Sequence, residues 1–161
     1  KEIETRDNGL FDYKYVTPVL AQYDSERITD EDSTFREDAI MKGFEQYPYC
    51  VVMEAASQTL KGYIDHDLSS GIEWEMIREL TRNLVTAIKH IHENGYVHGD
   101  LKPLNILMYG TSTRLIDFDA SANFIKRELA GSKYSSGYIA PELLLQDDYG
   151  KIFVRSSINI E

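Results

Sequence analysis

The sequence predicts an α+β fold, and three features carry that reading. Between Ile72 and Asn94 the residues Ile77, Leu80, Leu84, Ala87, Ile88 and Ile91 recur at three- and four-residue steps, the apolar stripe of an amphipathic helix. The runs Tyr15 to Tyr23 and Tyr49 to Glu54 are β-branched and aromatic, as strands are. Ile106 to Met108 and Leu115-Ile116 flank a Gly/Ser/Thr turn, Tyr109 to Thr113, and together read as a hairpin.

In chain order, Lys1 to Arg6 reads as the tail of a helix stopped by Asn8-Gly9, so the sequence is expected to open inside a helix that starts further upstream. Pro18 is tolerated where a strand lies at a sheet edge. Asp24 to Gln46 is rich in Asp and Glu and is expected to form a loop or partly helical insertion with a solvated acidic surface. Ala55-Ala56-Ser57 breaks the second strand pattern, and Leu60 to Ile64 suggests a short helix followed by a loop from His66 to Gly71. In the long helix, Glu73 and Glu75 near the start and Lys89, His90 and His92 near the end suit the helix dipole. Asn94-Gly95 supplies a left-handed stop. Trp74 and both histidines are expected in surface or packing roles, since no ligand cluster accompanies them. Ala120 to Ala130 is polar and mixed, as an exposed segment is.

Composition narrows the function classes. The 161 residues are 42% hydrophobic and 27% charged, values of an ordinary globular domain with one core. A net charge of −10 argues against a nucleic-acid partner, because phosphate backbones select basic faces. No apolar run has membrane-spanning length and no signal peptide opens the sequence. The single cysteine, Cys50, excludes an internal disulfide and fits a reducing, cytoplasmic compartment. Within Tyr49-Cys50-Val51-Val52-Met53 it is expected to be a small buried core residue.

The stretch Tyr96 to Asp119, YVHGDLKPLNILMYGTSTRLIDFD, concentrates the chemistry. The hairpin sets Asp100 and Asn105 on its entering loop and Asp117 at its exit, so distant polar residues are expected to converge. That convergence suits phosphoryl transfer, in which catalysis is mostly positioning and charge neutralisation. Asn105 and Asp117 offer hard oxygen ligands of the kind Mg²⁺ prefers, Asp100 can accept the proton of an attacking hydroxyl, and Lys102 can neutralise charge in flight.

Here the chain resembles the protein kinase family. His98-Gly99-Asp100-Leu101-Lys102-Pro103-Leu104-Asn105 matches its H-R-D-L-x-x-x-N loop, Asp117-Phe118-Asp119 its D-F-G turn, and Ala140-Pro141-Glu142 its A-P-E motif. Gly99 replaces the Arg and Asp119 the Gly. The resemblance implies a truncated kinase-like fold, with residues 1–56 as a remnant of the N-lobe and 57–161 as the first half of the mainly helical C-lobe. It implies ATP and Mg²⁺ as cofactors and Ser/Thr hydroxyls of protein substrates as acceptors. Asp100 would be the catalytic base, assisted by Lys102 and Asn105, and Asn105 and Asp117 would hold the metal. Met53 would line the adenine pocket, Glu54 and Ala56 would bond the adenine edge through their backbones, and Leu107 would lie beneath the ring. Glu2 or Glu4 would pair with a strand lysine that, like the glycine-rich loop, precedes Lys1, so the 161 residues alone are expected to bind ATP weakly. His98 would pack on Phe118, Ser135 would bond Asp100 and Lys102, Gly131 to Glu142 would dock the substrate, and Val154 to Glu161 would start a helix.

Two other readings share the motifs. Small-molecule phosphotransferases of the aminoglycoside and choline kinase type carry H-G-D and I-D-F with a following acid, which Gly99 and Ile116-Asp117-Phe118-Asp119 fit. Against them stand Lys102-Pro103 and Tyr138-Ile139-Ala140-Pro141-Glu142, features that dock a protein chain. A non-catalytic pseudokinase is opposed by the presence of Asp100, Asn105 and Asp117 together.

Overall fold

The computed structural model describes residues 6, 9–24, 47, 49–67, 74–130, 135, 137–141, 144–146, 152–154 and 158–159. The chain divides into two compact units, residues 18–55 and residues 1–17 with 56–161. In the first, β1 (Val19–Asp24) pairs antiparallel with β2 (Tyr49–Met53), Ala21 opposite Val52 and Asp24 opposite Tyr49. The register shifts between Val19 and Ala21, as at a β-bulge. Cys50 is exposed rather than buried: side chains alternate along the strand, and Val51 and Met53 take the half-buried side.

The first strand begins at Val19, not Tyr15. Asp12 Oδ1 accepts the Lys14 N–H (2.8 Å) and the Asp12 carbonyl accepts the Tyr15 N–H (2.9 Å), so the chain turns there. After the turn, residues 15–17 are stitched to the larger unit: the Leu115 N–H donates to Tyr15 O (2.8 Å) and the Thr17 N–H to Leu115 O (3.1 Å).

The larger unit begins with β3 (Gln58–Thr59), α1 (Leu60–Asp67) and α2 (Trp74–Glu93). Thr59 Oγ1 accepts the Gly62 N–H (3.0 Å), a cap that starts α1. The Lys61–Asp65 ion pair spans its middle. Thus supported, the helix runs through His66, which the sequence had suggested for a loop.

On α2, Leu80, Leu84, Ala87 and Ile91 turn inward, while Ile77 stays 37% exposed outside the stripe. Gly95 ends the run at φ 82°, its N–H donating to His92 O (2.9 Å).

Beyond α2 lie β4 (Tyr96–Val97), a 3₁₀ turn (Pro103–Asn105), β5 (Ile106–Tyr109), β6 (Ser112–Leu115) and β7 (Ala122–Asn123). β3, β5 and β6 form one antiparallel sheet with β5 central. The hairpin turn is tighter than expected: Ile106 faces Leu115 and Tyr109 faces Ser112, leaving Gly110-Thr111 as the loop, with Gly110 at φ 64°. Ile116 lies past the ladder. β4 pairs with β7, Tyr96 opposite Asn123, which lays the chain before the H-G-D loop beside the chain after D-F-D. The core is Phe11, Val16, Ala87, Ile91, Tyr96, Ile106, Leu115 and Phe118.

Four further short strands lie among the described residues: β8 (Leu129–Ala130), β9 (Leu144–Gln146), β10 (Ile152–Val154) and β11 (Ile158–Asn159). β11 pairs with β8, so residues 158–159 do not start a helix; a β-branched Ile beside an Asn favours extended backbone over helix. Glu2, Glu4, residues 25–46 and Gly131 to Tyr134 lie outside the described residues. Among the described residues no helix is long and apolar enough to cross a membrane.

Ile91 is fully buried where α2 meets the core. Ile91→Ala in the full-length protein should cost about 2–5 kcal/mol, read from urea unfolding at constant m-value; a cost below about 1 kcal/mol would contradict this core.

Candidate active site

The entering loop is shaped by its own sequence. Lys102 is extended (φ −151°, ψ 159°), Pro103 starts the 3₁₀ turn where its missing N–H costs nothing, and the Asn105 N–H closes the turn on Lys102 O (2.9 Å). This turn buries Asn105 and aims its amide back at Asp100: Nδ2 donates to Asp100 O (2.9 Å) and to Asp100 Oδ2 (3.3 Å). Lys102 Nζ donates to the same Oδ2 (2.5 Å) and to Ser135 Oγ (2.6 Å). The side chains of Lys102 and Asp100 are only 17% and 11% exposed. Burial pushes the Asp100 carboxyl up, but the Lys102 ammonium, the Ser135 hydroxyl and the Asn105 amide outweigh it and hold the group below its ordinary 3.8. Asp100 is therefore a carboxylate at neutral pH.

Asp117 is reached through the backbone. The Ile116 N–H donates to Asn105 O (3.1 Å), and Ile116 O accepts from His98 Nε2 (2.9 Å). At Asp117 the chain turns with φ 64°, a left-handed conformation that Asp tolerates better than most residues. The turn drives Phe118 fully into the core, with its ring 4.8 Å from the His98 centroid and 5.3 Å from that of Phe11. Ser121, through both its N–H (3.0 Å) and its Oγ (2.5 Å), donates to Phe118 O and pins the backbone beyond the turn.

His98 joins the two halves as a neutral ring. Its Nδ1 faces the Asp100 N–H (3.4 Å) and must accept, while Nε2 faces a carbonyl and must donate. Burial lowers its pKa, although the Ile116 carbonyl and the charges of Asp117 and Asp100 pull the other way. Both carboxylates thus act on one imidazole.

Gly99 stands at φ 82°, and a Cβ there would lie 2.2 Å from the carbonyl oxygen of Ala120. A side chain at this position would therefore require the loop or the D-F-D turn to shift.

Asp100, Lys102, Asn105 and Ser135 are in direct contact, and Asp117 is tied to them through Ile116. Leu107 is half-buried in β5 between Thr59 and Arg114, and Ala56 is half-buried ahead of β3. Met53 ends β2 and Glu54 comes next, exposed, both in the unit of residues 18–55. Ser57 and Ser121 escaped the sequence reading. Ser57 donates to Met108 O through both N–H (3.0 Å) and Oγ (2.7 Å). A serine beside a predicted break is a local signal for such a bond.

The native state holds His98 below its ordinary 6.5, whereas the unfolded chain titrates near that value. Below pH 6.5 the unfolded state therefore binds more protons, and stability falls as pH drops through that window, by at most about 1.4 kcal/mol per pH unit. His98→Gln should flatten this part of the stability profile; identical profiles for variant and parent would refute the neutral ring.

Comparison with known proteins identifies the family. A model of the protein kinase domain matches residues 17–153. Over 125 residues the chain is 33% identical to cyclin-dependent kinase 4 of Mus musculus, covering 76% of this chain and 39% of that protein. Cyclin-dependent kinase 4 of Xenopus laevis is 34% identical over 101 residues, 62% of this chain and 32% of the relative. Calcium/calmodulin-dependent protein kinase type 1 of Caenorhabditis briggsae is 38% identical over 76 residues, 45% of this chain and 21% of the relative. The chain spans about two fifths of the length of the mouse protein it matches. With a family match through most of its length, on an α+β framework that seats an H-G-D loop against a D-F-D turn, the chain belongs to the protein kinase family and carries part of the kinase fold.

Proposed function

We propose that the protein transfers the terminal phosphoryl group of ATP to Ser or Thr hydroxyls of protein substrates. The observation that supports this most is the Asp100 carboxylate, held ionised by Lys102 and Asn105 and linked through Ile116 to Asp117. An ionised, oriented carboxylate can take a hydrogen bond, and then the proton, from the attacking hydroxyl. Lys102 bridges Asp100 and Ser135 and carries positive charge to where the transferred group gains negative charge. On this reading residues 1–56 belong to the N-lobe and 57–161 to the C-lobe, and Ala56 and Leu107 meet the adenine.

The donor set fits a Mg²⁺-bound nucleotide. Asn105 spends its Nδ2 on Asp100, which leaves Oδ1 as the amide's ligand atom, and Asp117 adds a carboxylate. When bound, Mg²⁺ and ATP supply the phosphoryl donor and neutralise its charge. The chain's own residues orient the acceptor and hold the proton at Asp100.

A small-molecule phosphotransferase is the second reading, favoured by the glycine that the loop requires at position 99. In the full-length protein with ATP and Mg²⁺, Ser/Thr peptides should be phosphorylated, and Asp100→Asn should lower the rate about 10²- to 10⁴-fold. Transfer to aminoglycosides or choline but to no peptide would establish the second reading, and undiminished peptide transfer by the variant would remove Asp100 from the reaction.

Gly99 also bears on regulation. In kinases with Arg at this position that side chain can hold a phosphate on the activation segment. Phosphatase treatment of the full-length protein should therefore leave its peptide transfer unchanged; loss of activity would show dependence on such a phosphate.

A further inference from the structure

The segment after the D-F-D turn is shaped by one carboxylate. β7 pairs with β4, and just past that ladder the Phe124 N–H donates to Gly95 O (2.9 Å). Antiparallel alternation then turns the N–H and C=O of Asn123, one position earlier, away from β4. Asn123 is only 5% exposed, so both groups need partners within the protein. Glu128 supplies both: its Oε2 accepts the Asn123 N–H (2.9 Å), and its own N–H donates to Asn123 O (3.0 Å).

Inside this reciprocal pair the turn closes on itself. Asn123 Oδ1 accepts the Lys126 N–H (2.9 Å), and Phe124 O accepts the Arg127 N–H (3.2 Å). Arg127 lies at φ 55°, a left-handed conformation that a residue other than glycine keeps only where its surroundings hold it. Lys126 and Arg127 are exposed, and neither pairs with the Glu128 carboxylate among the described residues. That carboxylate serves the backbone, not its cationic neighbours.

The turn is tied to the site on each side. Before it, Ser121 pins the chain to Phe118 O, next to Asp117. Beside it, Ala122 faces Val97, from which the chain runs directly into His98-Gly99-Asp100. Its Ile125 sits on the corner at the end of α2, where a Cβ on Gly95 would lie 2.3 Å from Ile125 Cδ1. After it, β8 starts at Leu129, and further along Ser135 meets Lys102 Nζ (2.6 Å).

We propose that Glu128 is a positioning residue for phosphoryl transfer. By latching the turn at 123–128, its carboxylate sets the course of the segment that carries Ser135 to Lys102. Gly99 offers no side chain to hold a phosphate on that segment, and the chain supplies the organising anion itself. This role rests on the kinase reading and names what orders the acceptor side of that site. Reach to the Asn123 N–H is what matters. Glutamine keeps it, whereas aspartate keeps the charge but is one methylene too short.

The test compares Glu128→Ala, Glu128→Asp and Glu128→Gln in the full-length protein. Peptide phosphorylation and Tm are measured, together with exchange of the Asn123 amide in the absence of substrate. In the Ala and Asp variants kcat/KM for peptide should fall about tenfold, the loss of one hydrogen bond to an ionised acceptor, and the Asn123 amide should lose protection to a similar degree. The KM for ATP should stay within about twofold, a split that general loss of structure would not produce. Glu128→Gln should restore both readouts to within about threefold of the parent. If Glu128→Ala is unstable, Glu128→Asp carries the same comparison. Peptide kcat/KM unchanged in Ala and Asp, or constants for peptide and ATP falling together with Tm in all three variants, would overturn the role. A parent protein that phosphorylates no peptide defeats the kinase reading and this role together, whereas an active parent matched by Glu128→Ala defeats this role alone.

Discussion

The arrangement depends on a buried imidazole that stays uncharged. His98 accepts from the Asp100 N–H on one side and donates to Ile116 O on the other, while its face packs on Phe118. A proton on both nitrogens would set a donor against a donor at Nδ1 and place an ion in the core. The ring therefore does more than fill space. It fixes the distance between the loop that carries Asp100 and the turn that carries Asp117, and it can do so only in one tautomer. The polar residues beside it inherit their positions from that constraint.

The acid–base partners sit in a balance of opposing effects. Nearly buried, Asp100 would tend to take up a proton, and Lys102 and Asn105 prevent it by supplying donors to one oxygen. Such a pair is weak support for stability, since removing two charges from water offsets most of their attraction. Its value lies in specification: the carboxylate is kept charged and pointed by neighbours on its own loop. Because Lys102 also reaches Ser135, the same ammonium joins the loop to a segment thirty-three positions along the chain.

Much of this was legible in the residue order. The stripe on α2, the hairpin and the loop-to-turn convergence come from periodicity and from polar residues at element ends. The misreadings have local physical causes. Tyr15 and Val16 look like strand residues, but the Asp12 side chain captures the backbone and turns it first. Cys50 sits in an apolar run, yet alternation on a ribbon of two strands exposes every other residue. The short β4–β7 and β8–β11 pairings were invisible because their partners lie far apart in sequence and each spans only two residues per strand.

The close approach of Gly99 to the Ala120 carbonyl limits how this lineage can change. A single codon change restoring a long side chain at position 99 would meet the backbone of the turn after Asp119 and a left-handed torsion at once. Recovery of the family's usual arginine would need the turn at 119–121 to shift first, and that turn is pinned by Ser121 to the carbonyl of the buried Phe118. A side chain at 99 and the present path of the turn at 119–121 are therefore alternatives, and one can be had only by moving the other.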